Sequence, residues 1–236
     1  MSKLMAIEWR KHRLSGYARA TVWVTLLLAV SGLLLPLLVQ ADSGSVDALF
    51  TDYGGAFGYI NLMTGTAFMV LASVLASKLV VGEYVNPTIQ VLVTYPVSRT
   101  RSMLAKLAVI AGWTFASVLI AGLLASGVFW AGNLVWHFID LPLTLAETAD
   151  QALTLVLLAA SSAGLGLLSI PVGLRTKSVP ATILSTLLIA AALNLVTSVG
   201  GASSLLLYVS LALGGAGFLL AFLAAIRLER QNVSNL

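Results

Sequence analysis

RTRSMLAKLAVIAGWTFASVLIAGLLASGVFW, residues Arg99–Trp130, begins with Arg99, Arg101 and Lys106 and then carries no charge from Leu107 to Trp130. A membrane helix needs roughly 20 apolar residues, each rising 1.5 Å, to cross about 30 Å of hydrocarbon. Leu107–Trp130 meets that length. Its flanks are unequal, with basic residues at one end and an aromatic residue at the other. Lys and Arg resist translocation across an energised membrane, so the Arg99–Lys106 end is predicted to be cytoplasmic.

The same pattern repeats outward in both directions. It predicts an all-α membrane protein with six transmembrane helices, at Ala20–Val39, Phe57–Val81, Leu107–Trp130, Gln151–Leu174, Val179–Val199 and Ser204–Ile226. These runs are too long for barrel strands, and a helix satisfies its own backbone in lipid. All 13 basic residues then fall on one side. Lys3, Arg10, Lys11, Arg13 and Arg19 precede the first run. Lys78, Arg99, Arg101 and Lys106 lie around the second connection, Arg175 and Lys177 in the fourth, and Arg227 and Arg230 after the sixth. The opposite loops carry Asp42, Asp47, Asp52, Asp140, Glu147 and Asp150 and no Lys or Arg. The asymmetry predicts both termini in the cytoplasm, and the whole chain is expected to form a single transmembrane domain, residues 1–236. The first run covers about 20 residues, longer than the roughly 7–15 of a signal-peptide core, and reads as a retained helix.

Composition agrees. The chain is 59% hydrophobic and only 9% charged, against about 25% charged in a soluble domain. Lipid must therefore solvate much of its surface. The net charge of +4 does not argue for nucleic acid, because its basic residues are spread over four segments and read as topogenic. The chain has no Cys, which excludes disulfides, thiolate chemistry and Cys-based metal sites. His12 and His137 fall on opposite sides, so no two-His metal site is expected. No phosphate-binding glycine loop occurs, so ATP is not expected to bind this chain.

No Asp, Glu, Lys or Arg lies near the centre of a span. Lys78 comes closest, but sits within a turn of the end and can snorkel. Ion-coupled transporters and voltage sensors need intramembrane charge, so both classes are disfavoured. Neutral polar residues remain at depth, among them Asn61, Thr64 and Thr66, Ser161, Ser162 and Ser169, and Thr182, Ser185, Thr186, Asn194 and Thr197. They are read either as interhelical hydrogen bonds or as a polar path, with Asn61, Thr64, Ser185 and Asn194 as the candidate path residues. Small residues four apart, as in Gly54/Gly58, Ser73/Ser77, Gly122/Ser126 and Ser162/Gly166, suit close helix packing. Trp130, Trp136 and Phe138 are expected to mark the outer membrane interface, and Trp9, Tyr17 and Trp23 the inner one.

One internal segment is both long and predicted cytoplasmic, about 82–106. Asn86-Pro87 favours a break or helix start, and Tyr95-Pro96 ends the short apolar element between them. An exposed apolar helix there must bury its face in the lipid interface or in another protein.

Glu83, Thr88, Leu92, Pro96-Val97-Ser98-Arg99 and Lys106 together resemble the motif E-x-x-x-x-T-x-x-x-L-x-x-x-P-[IV]-S-R-x-x-x-x-x-x-K of ABC-2-type exporter membrane subunits. The run AIEWRKHRLS, with Glu8, Trp9, Lys11 and Arg13, is similar to the amphipathic elbow helix that precedes span one in those permeases, here about residues 3–17. Pro87 stands where the family often has Gly. The size resembles the small permeases of the bacitracin-resistance and lantibiotic-immunity groups. Polysaccharide exporters of this class carry re-entrant helices between spans five and six, and the Gly200–Ser203 connection leaves no room for them.

The resemblance implies a non-catalytic membrane subunit in the bacterial plasma membrane. It would pair with a second permease subunit, identical or related, and with separate ABC ATPase subunits that bind ATP and Mg. Glu83–Pro96 would be the coupling helix, placing Ile89, Leu92 and Val93 in an ATPase cleft, with Thr88 and Pro96 framing it and Glu83, Arg99 and Arg101 at the rim. The cargo would be an amphipathic peptide, a lipid-like molecule or a small drug-like molecule. The alternative is a structural or regulatory membrane subunit that transports nothing.

Overall fold

The computed structural model describes residues 15–43, 50, 52–82, 99–139, 141–176, 178–200 and 203–233. They form six helices and, among the described residues, no strand. We number them α1 (Ser15–Ser43), α2 (Tyr53–Ala76), α3 (Arg99–Trp136), α4 (Leu145–Thr176), α5 (Val179–Gly200) and α6 (Ser203–Val233). A π-helical turn, Ser77–Val81, extends α2. Among the described residues, four stretches are long and apolar enough to cross a membrane: Gly16–Leu38, Tyr53–Val81, Met103–Trp136 and Leu145–Thr176. In α5 and α6 the apolar stretches within the described residues are shorter, Val179–Asn194 and Tyr208–Ala224.

The helices run past the apolar runs that predict them, and at the starts of α2 and α4 capping rather than hydropathy sets the end. Asp52 caps α2, its Oδ1 accepting from Gly55 N at 2.8 Å. At α4, Thr144 Oγ1 accepts from Glu147 N at 3.3 Å while Glu147 Oε2 accepts from Thr144 N at 2.8 Å. That reciprocal box satisfies donors the first turn leaves open. Helix α3 is the longest described helix at 38 residues, about 57 Å at 1.5 Å per residue, well beyond the roughly 30 Å of hydrocarbon. The expected outer loop Ala131–Asp150 is correspondingly shorter, since α3 continues to Trp136 and α4 starts at Leu145.

Successive helices alternate in direction. The start of α1 meets the end of α2, where Lys78 Nζ lies 5.4 Å from the Tyr17 ring centre. The start of α2 meets the end of α3, where Asn133 Nδ2 donates to Tyr53 Oη at 2.9 Å. One end of the bundle thus carries Arg19, Lys78, Lys106 and Arg175 and the other Asp52, Glu147 and Asp150. We call these the basic and acidic ends.

Helix α4 is the hub. From Ser161 to Ile170 every residue except Leu168 is buried, as expected of a helix enclosed on all sides. Its small residues allow this. A Cβ on Gly166 would strike Ala72 of α2, and one on Gly164 would strike the Gly214 backbone of α6. A Cβ on Gly217 would strike the Gly164 carbonyl, so the two backbones touch there. Such crossings gain van der Waals contact where lipid removes the hydrophobic drive between helices. The Gly54/Gly58 pair has no such use: a Cβ on Gly58 would meet nothing within 4 Å. Helix α1 lies on one side, with Trp23 71% and Leu27 69% exposed, a surface suited to lipid.

Candidate functional site

The polar groups inside the bundle sort into a buried set and a half-buried set. Asn61 of α2 and Gln151 of α4 exchange two amide hydrogen bonds, Asn61 Nδ2 to Gln151 Oε1 at 3.0 Å and Gln151 Nε2 to Asn61 Oδ1 at 3.1 Å. Gln151 Nε2 also donates to Ser126 Oγ of α3 at 3.0 Å. Three helices are pinned at one level, and Asn61 donates one bond and accepts one within the chain. Thr64 shares the Asn61 face of α2 at i+3 spacing. It is fully buried and its Oγ1 has no hydrogen-bond partner.

The half-buried set lies where α2 meets α5. Asn194 Nδ2 donates to Thr66 Oγ1 at 3.4 Å, a long contact by the usual N–H···O range. Thr66 is on a different side of α2 from Asn61 and Thr64. Ser185, on α5, donates to its own helix at Thr182 O, 2.8 Å away. The four candidate path residues therefore do not line one cavity in this chain. Asn61 and Thr64 face inward, and Asn194 approaches a second face of α2.

At the basic end, α2 closes with the π turn. Gly82 N donates to Ser77 O, a five-residue reach that sets the wider turn. Wider turns of this kind are uncommon and recur at functional sites. Leu79 and Val80 join Met103 and Leu107 of α3, Leu167 and Ile170 of α4 and Ala221 of α6 in one apolar cluster. Val81 fits a notch on α4 that exists because residue 173 is Gly; a Cβ there would strike Thr182 Oγ1 and Val81 Cγ2. Pro171 sits inside α4 just before that notch, where it removes a backbone donor and loosens the turn. This junction is the point from which residues 83–98 depart. Glu83, Thr88, Ile89, Leu92, Val93 and Pro96 lie outside the described residues. Arg99 and Arg101 open α3.

At the acidic end, an aromatic cluster fills the bundle: Phe50, Tyr53, Phe57, Phe129 and Phe138 are buried together. Phe138 is thus a core residue and not an interface marker, a correction to the sequence reading, whereas Trp130 and Trp136 are 44% and 45% exposed. Phe138 reaches the core because the chain reverses at His137, whose φ of 52° is left-handed. Asn133 secures the reversal. Its Oδ1 accepts from Ile139 N at 2.8 Å, and its Nδ2 donates to Ile139 O at 3.2 Å and to Tyr53 Oη at 2.9 Å.

Asn133, Tyr53 and Gln151 were not distinguished by the sequence. The available signal was weak: an amide beside an apolar run, with a hydrogen-bonding demand that lipid could not meet.

The apolar helices, the internal amide hydrogen bonds and the glycine-mediated crossings define a multi-pass membrane protein. The chain belongs to the ABC-2 family of transporter proteins, matching that family, described as ABC-2 family transporter protein, over residues 4–192. It is similar to the uncharacterized protein YcbO of Bacillus subtilis (strain 168), with 34% identity over 230 residues, covering 97% of this chain and 99% of the relative. No solved structure matches it.

Proposed function

We propose that this chain is the membrane-spanning subunit of an ATP-driven exporter. Two such subunits, identical or related, would pair above two separate ABC ATPase subunits that bind ATP and Mg and perform the hydrolysis. The observation that carries this reading is the ABC-2 family match across residues 4–192, within which Glu83–Lys106 holds the coupling-type motif. All six helices would cross the bilayer; α5, with 22 residues, spans about 33 Å. The basic end would be cytoplasmic, as would both termini, and the elbow helix expected at about residues 3–17 would lie mainly in residues 3–14, outside the described residues, because α1 begins at Ser15.

In this reading Glu83–Pro96 is the coupling helix. Ile89, Leu92 and Val93 enter the ATPase, and Thr88, Pro96, Glu83, Arg99 and Arg101 frame the contact. Closure of the ATPases would drive α2 and α3, which the segment joins, as a lever between two states biased by nucleotide. The cargo path would run at the interface between the two permeases. The half-buried Asn194 and Thr66 support a path along the α2–α5 face, with Ser185 as a further polar position on α5, whereas Asn61 and Thr64 face the bundle interior. The cargo would be amphipathic: an antimicrobial peptide, a lipid-like molecule or a small drug-like molecule.

Purification of the tagged chain in mild detergent from its native host tests the reading. A stoichiometric ABC ATPase is expected to co-purify, with activity that an amphipathic substrate raises. Purification of the folded chain free of any ATPase would support the non-transporting structural subunit instead.

A further inference from the structure

The pair α2 and α3 is closed at both ends. At the basic end residues 83–98 join them covalently, and at the acidic end one side chain joins them. Asn133 of α3 holds the Tyr53 hydroxyl at the first residue of α2 and grips both backbone groups of Ile139. We propose that Phe138 and Ile139 form a removable plug in the acidic end of the bundle, and that Asn133 is the latch that keeps it seated.

Three features separate this plug from ordinary core. Phe138 and Ile139 are 6% and 5% exposed, yet they belong to no helix, so withdrawing them breaks no helical hydrogen bond. The left-handed His137 is the pivot about which they fold inward; among non-glycine residues His is one of the few enriched in that conformation. Lastly, the N–H and C=O of Ile139 are both satisfied by the Asn133 amide, which is uncharged and leaves no bare charge when it lets go.

The latch also senses geometry. Tyr53 moves with α2 and Asn133 with α3, so parting the two helices stretches the Tyr53 contact and weakens the grip on Ile139. The plug and the latch are a two-state element whose balance depends on the α2–α3 separation. Its use as a gate rests on the transport reading; the latch itself does not.

The chain lacks Cys, so single-Cys probes report without background. In lipid nanodiscs, where both faces are open, Ile139→Cys is expected to react with a maleimide far more slowly than Leu145→Cys, at a residue 88% exposed in the native chain. Adding Asn133→Ala is expected to speed labelling at 139 by about tenfold, the ratio expected when a buried hydrogen-bonded pair is broken. A core probe, Ala159→Cys, is expected not to change. An unchanged rate at 139 overturns the latch. If positions 139 and 159 accelerate together, the fold has loosened, and Tyr53→Phe decides: faster labelling at 139 alone supports the latch, and none overturns it. In the complex with its ATPase, a rate at 139 indifferent to nucleotide removes the gating role while leaving the latch standing.

Discussion

The two ends of the bundle are held by different forces. At the acidic end the contacts are directional: the Asn133 grip on Ile139 and Tyr53, the Asn61–Gln151–Ser126 bridge one level deeper, and the two helix caps. Aromatic rings pack among them, with Phe129 and Phe138 stacked at 6.5 Å. At the basic end Leu79, Val80, Met103, Leu107 and Ile170 mesh as aliphatic surfaces, and the backbone there contains a π turn, a helix proline and a glycine notch. Hydrogen bonds in lipid are made or broken, whereas aliphatic surfaces can slide without leaving a group unsatisfied. The contrast sets interlocked aliphatic packing at the basic end, where the proposed ATPase contact lies, against directional hydrogen bonds at the acidic end.

The largest expected effect is at the basic end. Gly173→Leu fills the notch that seats Val81 and Thr182, and overpacking of this kind costs about 3 kcal/mol. A marked drop in the detergent melting temperature is expected; an unchanged melt would show that Val81 is not held there.

Next comes the amide bridge. Gln151→Leu strands Asn61 in an apolar site and is expected to cost about 1–2 kcal/mol. Replacing both Asn61 and Gln151 by Leu should cost less than the sum of the single changes, because neither amide is then left alone. A double-mutant cycle from thermal melts measures this, and strict additivity would mean the bridge contributes nothing.

At His137, Val is expected to cost about 1–2 kcal/mol because a β-branched residue resists the left-handed region, and Gly to cost nothing. Equal melts for the two variants would contradict the pivot.

The smallest effect concerns Lys78. Lys78→Gln removes its contact with Tyr17 and is expected to cost about 0.5 kcal/mol, with insertion and helix content by circular dichroism unchanged.

How far the sequence carried this account depended on the range of the interaction. The helices follow from uncharged runs such as Leu107–Trp130, a local signal that lipid makes decisive. Helix ends followed less well, since Asp52 and the Thr144–Glu147 box extend α2 and α4 by chemistry that hydropathy ignores. The bridges were hidden because Asn61 pairs with a residue 90 positions away and Tyr53 with one 80 away, beyond any periodicity. The Gly164–Gly214 crossing was hidden for the same reason, although both glycines are plain in the sequence. The π turn leaves no local mark, since Ser77–Val81 reads as ordinary helix. The coupling-type motif was legible by resemblance alone, and its residues 83–98 lie outside the described residues.

In the proposed function Glu83–Pro96 docks an ABC ATPase. Leu92→Asp places a charge on the apolar face that would enter the partner, at a site remote from the amide bridges and the Asn133 latch. The decisive measurement is ATPase co-purification with the Leu92→Asp chain, alongside the wild type at matched membrane expression. The variant is expected to insert normally and to lose the ATPase. Retention of the ATPase at the wild-type ratio would contradict that docking.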